Sequence, residues 1–594
     1  MSDAAPPTVP SPAAAKAMLA QAGLLKQIGQ LLGAVRASAV GTRLMQLAGC
    51  ILVAVLATAY CQVRFNAWNK AFFDALSRRD FKDFIYQLGV FAVIVACLMI
   101  LDVTQRWLRE TMKVKLREGL VRDLTGRWMM PRRAFWLANA GEMGVNPDQR
   151  MTDDTTVLCN LSIDLVMGLL QATILFISFA GILWVLSEDF SFRVGDSDYA
   201  VPGFMLWAAI LYAGFGSLLS YVVGRSLVAR SANRYAREAD LRFTLVRINE
   251  HLDGISLAAG EADERRRIEA SLSEVMGAMN RLVLGWTNLT WVTAGFGWIT
   301  QAAPILVAAP LFFSGKISLG GLVAAAAAFT QAQAALRWFV DNFSVIADWR
   351  ATLIRVSGFR QALIANEDQL DFGSRITYKQ NSDERLTLSN LHLESPAGRD
   401  MLQEPHAEIA AGERVLIVAD AGTGKTLLFR ALAGLWPWGS GEIANPAASP
   451  IYYMPRGTPY LPTGSLREIL AYPTAVSAHD EAAFAAALAR LDLERLVPML
   501  DASKRWDREL SQDEQMSLAF ARIVLQAPRW VLIDDAFGSL DNDTLSRVVD
   551  LFDKELAQTT LVHIGSAVQG HEAMFGQTLH LVKDAAAPRA AGSP

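Results

Sequence analysis

RVLIVADAGTGKTLLFRALAGL, Arg414–Leu435, is the stretch from which the rest of the chain can be read. An apolar run of β-formers leads into a short glycine-containing segment, and Lys425-Thr426 opens an amphipathic stretch. Strand, loop and helix in that order turn the N–H groups of the loop and the first helical turn towards one point. Phosphates bind there, a lysine meets the outer ones, and a hydroxyl can ligate magnesium. The candidate nucleotide-binding residues are therefore Ala419, Asp420, Ala421, Gly422, Thr423, Gly424, Lys425 and Thr426, with Thr426 also a candidate magnesium ligand. Ala419 stands where the pattern has its first glycine, which is tolerable if φ there is negative.

Working downstream, RWVLIDD at Arg529–Asp535 reads as a second buried strand whose last position, Asp534, is the expected carboxylate supporting magnesium. Short β-rich runs (LTLSNLHLE, RVLIVA, IYYMP, WVLIDD) alternate with helical stretches from about residue 375, the pattern of an α/β domain with a mainly parallel sheet.

Upstream the composition changes. The chain has 594 residues, 52% of them hydrophobic, and a mean hydropathy of +0.24, which together suggest a membrane part joined to a soluble part. Six apolar segments near the ~20 residues that cross a bilayer fall at about 44–63, 86–104, 162–187, 202–224, 289–313 and 319–342. The loops 105–160 and 225–288 carry 10 Lys and Arg each, whereas 187–201 carries only Arg193 and 314–318 only Lys316. The two basic loops and both termini are thus placed in the cytoplasm. One loop dissents: Arg64, Lys70, Arg78, Arg79 and Lys82 lie on the side the alternation makes external, among Phe65, Trp68, Phe72 and Phe73, as in a segment lying along the interface. Helical spacing of apolar residues through 231–282 predicts that the helices continue into the cytoplasm. The four cysteines form no CxxC pair, no like-charge block marks a nucleic-acid arm, and the Pro/Ala-rich start reads as a disordered tail.

Taken together, the P-loop, Asp534, LSQDEQ at 510–515 and SLD at 539–541 resemble the nucleotide-binding domain of ABC transporters. In the membrane half, FNAWNKAFFDALSRRDFKDF, NPDQRMTDD and RFTLVRINEHLDGISLAAGE resemble the SbmA/BacA-like and peroxisomal-type ABC permeases. The resemblance implies a membrane α-helical bundle of six transmembrane helices in an exporter-like ABC fold, fused to an α/β P-loop NTPase nucleotide-binding domain. The expected boundaries are a disordered region at 1–40, the transmembrane domain at 41–345, a linker at 346–384, the nucleotide-binding domain at 385–584 and a tail at 585–594. It further implies ATP and Mg2+ as cofactors, and a dimer with a second copy or a related half-transporter in a bacterial inner membrane. The expected cargo is a peptide-like or other bulky hydrophilic solute; family cargoes include peptides, cobalamin and acyl-CoA esters.

Against that pattern several positions depart. The catalytic glutamate corresponds to Asp535, one methylene shorter, and the switch histidine to Ser566, with His563 three residues earlier. The glutamine after IYYMP is replaced by Arg456 or Gly457, and no Phe, Tyr or Trp between Asn381 and Thr426 can stack on adenine, leaving His392 and His406 as weak substitutes. In the signature, Ser511 survives but the glycine is Asp513. Two unit charges ~6 Å apart at an effective dielectric of ~20 repel by roughly 3 kcal/mol, about a hundredfold in ATP-driven closure, if this carboxylate faces the partner site's phosphate. The alternative is that it caps the helix that follows.

Slow or absent hydrolysis is therefore expected. Three readings stand: an ATP-coupled transporter; an ion-gradient-driven transporter with a regulatory nucleotide domain; and a nucleotide-gated scaffold or sensor. Asp102, Asp164, Arg337 and Asp341 are the candidates for ion coupling, with an internal Arg337–Asp341 salt bridge as the structural explanation. Trp286, Trp291, Trp298 and Trp338 either line a substrate cavity or serve packing and the lipid interface.

Overall fold

The structure, a computed structural model, describes residues 28–584 apart from positions 30, 32, 34–35, 37–39, 139–145, 188–190, 195–196, 365–374, 396–397, 420–421, 448 and 567–571. The expected tails before residue 28 and after 584, and the loop residues Asp420 and Ala421, lie outside the described residues. Two compact units divide between residues 365 and 366.

Six helices in the first unit are long and apolar enough to cross a membrane: α1 Gly41–Ser77, α2 Phe81–Trp128, α3 Thr155–Leu186, α4 Phe204–Glu250, α5 Glu261–Phe313 and α6 Leu319–Asp341. The third span is preceded by a helical stretch from Pro147. Strands β1 Ser191–Val194 and β2 Ser197–Ala200 form a hairpin between α3 and α4. Each sequence-derived span lies inside its helix, overshooting an end by at most two residues, and α1, α2, α4 and α5 extend well beyond the spans. Helix α6 buries a face of small residues (Gly320, Gly321, Ala324, Ala325, Ala328, Ala332), which lets backbones approach closely. Its first turn is held by α1: Asp74 Oδ1 accepts from Gly320 N–H at 2.9 Å.

Three expectations change here. Helix α1 continues through Ser77, and the segment expected along the interface is helical with its aromatics packed inward. Trp68 stacks on Phe65 and Phe72, meets Phe91 of α2 at 4.9 Å and donates to the Gln87 carbonyl at 2.8 Å. The expected linker 346–384 begins as a helix, α7 Phe343–Ile364, that belongs to the first unit. Its Leu353, Val356, Phe359 and Leu363 are buried, Arg355 pairs with Asp154 through two hydrogen bonds of 3.0 and 2.8 Å, and Arg360 reaches Asp123 at 2.7 Å. Buried apolar area and paired charges stabilise what a hydropathy profile alone leaves as a connector. Finally, positions 28, 29, 31, 33 and 36 are helical, and Leu31 is buried in the same cluster, so the expected disordered region contributes to this core.

The second unit is built on a ten-stranded sheet. Its strands are β3 Thr377–Asn381, β4 Leu386–Ser395, β5 Gly398–Leu402, β6 His406–Ile409, β7 Arg414–Ala419, β8 Gly439–Pro446, β9 Ile451–Met454, β12 Trp530–Asp534, β13 Thr560–Gly565 and β14 Gln577–Lys583. A separate pair, β10 Gly464–Ser465 and β11 Ser503–Lys504, completes the set. The sheet order is β3-β8-β4-β5-β14-β7-β13-β12-β9, with β6 on β4. β14, β7, β13, β12 and β9 are mutually parallel, whereas β4 runs antiparallel to its neighbours β5, β6 and β8. Trp530–Asp534 is buried at every position, as a central parallel strand covered on both faces must be. β3 pairs with β8, so the domain begins before residue 385.

Candidate functional site

The parallel register brings the carboxyl ends of β7 and β12 together around β13, with Asp534 opposite Ile564 and Val418 opposite Gly565. That edge is where open α/β sheets bind ligands. Ala419 closes β7 as an extended residue, so the missing glycine costs nothing in φ. Gly422 has φ +82°, a left-handed conformation that glycine adopts freely. Gly424 then caps helix α8 Lys425–Leu432, which buries Leu428, Phe429, Ala431 and Leu432 and thereby fixes the loop.

From the first turn of α8, Thr426 Oγ1 donates to Asp534 Oδ2 at 3.1 Å. Asp534 is 1% exposed and its other oxygen, Oδ1, has no hydrogen-bond partner. Burial, with the neighbouring Asp535 charge, raises its carboxyl above the usual carboxylate range. A buried carboxylate oxygen without a donor, beside a hydroxyl at a helix N-terminus, fits a divalent cation held with a nucleotide phosphate. Thr426 and Asp534 are the residues that would hold it. Magnesium there would neutralise phosphate charge, and Lys425, whose ammonium forms no ion pair among the described residues, extends from the same turn.

Asp535, in the next position, has φ +51°, a conformation tolerated by Asp at a local cost, and its N–H donates to the Ile564 carbonyl at 2.9 Å. Its carboxylate lies 3.8 Å from the Arg456 guanidinium, whose side chain is 68% exposed against 18% for Asp535. Arg456, one of the two candidates for the expected glutamine position, therefore pairs with the residue in the expected glutamate position, which the sequence did not reveal. Ser566 is exposed at the end of β13. His563 does not replace the switch histidine: it is buried on β13, 4.8 Å from the Phe537 ring and 6.0 Å from Phe575. Burial pushes its imidazole down to about 4, so it is neutral at pH 7. Gly565 has no room for a side chain, since a Cβ would stand 2.7 Å from His563 Nε2 and 2.8 Å from Asp535 Oδ1.

The signature opens α9 Gln512–Gln526. Ser511 caps it: its Oγ accepts from Glu514 N–H at 3.3 Å and Glu514 Oε2 accepts from Ser511 N–H at 3.0 Å. Asp513 does not serve as the cap. It is exposed in the first turn, its carboxylate without hydrogen bond or ion pair among the described residues, where the helix dipole tolerates it. His406 is engaged by Ser389 and Glu408, each at 3.1 Å, and His392 lies 3.9 Å from Asp584.

Within the first unit, Arg337 pairs with Asp341 at 3.4 Å along α6 and Asp164 with Lys113 at 2.9 Å. Of the four tryptophans, Trp286 lines a cavity of about 460 Å³ between α4, α5, α6 and α7, together with Tyr221, Phe339, Asp341 and Asp348; Trp291 and Trp298 are exposed.

Comparison with known proteins agrees with both halves. Residues 36–313 match the family described as ABC transporter transmembrane region 2, and residues 402–538 match the ABC transporter family. The inner membrane ABC transporter ATP-binding protein YddA of Escherichia coli is 27% identical over 86% of this chain and 90% of its own length. The chloroplastic ABC transporter D family member 2 of Arabidopsis thaliana is 25% identical over 83% of this chain and 77% of its own. ATP-binding cassette sub-family D member 3 of Rattus norvegicus is 21% identical over 83% and 79%. With a phosphate loop braced on a buried carboxylate in one unit and six apolar helices in the other, this multi-pass membrane chain belongs to the ABC half-transporters that fuse a type 2 transmembrane region to an ATP-binding domain.

Proposed function

We propose that two copies of this chain, or one copy with a related half-transporter, form an ATP-coupled transporter of a bacterial inner membrane. It moves a peptide-like or other bulky hydrophilic solute and hydrolyses ATP slowly. The observation that carries the nucleotide part is the Thr426–Asp534 contact with Asp534 Oδ1 left without a donor, an arrangement that supports magnesium binding there. Slow hydrolysis is supported by three side chains. Asp535 is short and paired with Arg456, Ser566 carries no imidazole, and Asp513 adds negative charge to the surface that meets the partner's nucleotide. Each ATP site in such a dimer uses the P-loop of one chain and the signature of the other, so every site containing this chain carries one defect or the other. The inner membrane location is supported by the name of the Escherichia coli relative. The cavity around Trp286 supports a bulky cargo with both apolar and charged parts.

A second reading is favoured by the Arg456–Asp535 pair: transport driven by an ion gradient, with nucleotide only regulating it. Flux of a labelled peptide into proteoliposomes separates the two. The first reading expects uptake that requires ATP and is lost in Lys425→Ala; uptake driven by a pH gradient alone, with Lys425→Ala unaffected, would establish the second.

A further inference from the structure

The phosphate loop already holds an acid. Gly424, the residue before Lys425, donates its N–H to Asp400 Oδ2 at 3.1 Å. Asp400 belongs to β5, is 7% exposed, and reaches the loop because two strand pairings place it there. Asp400 lies opposite Lys583 on β14, and Leu581 of β14 lies opposite Ala419 of β7. The approach is close, for a Cβ on Gly424 would stand 2.8 Å from the same oxygen.

Carboxylate and phosphate oxygens compete for the same donors, and an N–H at the start of a helix favours either anion. We propose that Asp400 occupies a phosphate position of the loop and sets the nucleotide affinity of this domain. A di- or triphosphate can take the Gly424 N–H only after the carboxylate has left it, and Lys583, near enough to act on Asp400 electrostatically, offers the departing charge a partner. The proposal rests on the P-loop reading of 419–426. It adds a residue from a strand outside the loop, reached through sheet pairing. The nucleotide class it concerns is any with a phosphate beyond the first, so ATP and ADP are affected alike.

The test is calorimetric binding of Mg-ATP and Mg-ADP to the full chain in nanodiscs, comparing wild type, Asp400→Asn, Asp400→Ala and Lys425→Ala. Removal of a competing charge is expected to tighten both nucleotides by about tenfold or more in both Asp400 variants. A strut that merely shaped the loop would behave in the opposite way, because its loss lowers affinity. Asp400→Asn keeps the shape and an acceptor for Gly424, so a folding defect confined to the alanine variant leaves the test intact. Affinities equal to or weaker than wild type in Asp400→Asn, with Lys425→Ala abolishing binding, overturn the role of Asp400 alone. Normal binding by Lys425→Ala overturns the P-loop reading and this proposal with it.

Discussion

Replacing Arg456 by glutamine should speed ATP hydrolysis. Asp535 Oδ2 and the Arg456 guanidinium are 3.8 Å apart, and Coulomb's law at an effective dielectric of ~20 gives about 4 kcal/mol for such a pair. That figure is too large here, since the arginine side chain is 68% exposed and the solvent screens it. Pairs of this kind contribute up to about 1 kcal/mol. This is the cost of turning the carboxylate away from Arg456 towards an attacking water, and removing it is worth roughly fivefold in rate. The assay is steady-state phosphate release by the reconstituted full chain at saturating Mg-ATP, with Lys425→Ala as blank. A fivefold rise in Arg456→Gln, with the KM for ATP little changed, is the expected result. A fall in turnover with a raised KM would mean instead that the guanidinium serves the nucleotide and does not restrain Asp535.

Asp513→Gly should raise ATP-dependent dimerisation of the nucleotide-binding domains, by up to about a hundredfold if the carboxylate faces the partner's phosphate; cross-linking of the full chain with and without ATP reads this, and no change would place the charge elsewhere. His563 contributes a pH dependence. Its folded value of about 4 lies below the 6.5 of a free imidazole, so the unfolded chain binds the extra proton first. Stability from this group is whole above pH 6.5 and falls by about 3 kcal/mol as pH drops through 4. Melting of wild type against His563→Leu from pH 7 to 4.5 should show wild type losing ground steadily, and parallel curves would contradict it. Gly320→Ala places a Cβ 2.1 Å from the Lys70 carbonyl and 2.7 Å from the Asp74 carboxylate, so α1 and α6 must separate. The variant should lose about 2 kcal/mol or more, read as a lower melting temperature in detergent.

Much of this architecture is legible in the sequence because it rests on local patterns. Long apolar windows give the six spans, and strand-loop-helix order gives Gly422, Lys425 and Thr426 their places. Positions that depend on distant partners are not legible in the same way. Nothing local to Asp400 hints at the P-loop; two strand pairings, β5 with β14 and β14 with β7, carry it there. Arg456 and Asp535 are far apart in sequence and meet because β9 and β12 are adjacent and parallel. His563, three residues before the switch position, is buried beside Phe537 because β13 is a central parallel strand covered on both faces, which its local sequence does not announce. The same limit explains α7, whose membership of the membrane unit is fixed by Asp123 and Asp154, some two hundred residues earlier.

The proposed nucleotide site binds ATP through Lys425, Thr426 and Asp534 and hydrolyses it poorly. Phosphate release by the purified, reconstituted chain, measured beside Lys425→Ala and with ATP binding followed on the same samples, tests it most directly. The expected result is clear ATP binding that Lys425→Ala removes, together with turnover that is slow or barely above the blank. Turnover at a rate typical of ABC transporters, unaltered by Asp513→Gly, would contradict it.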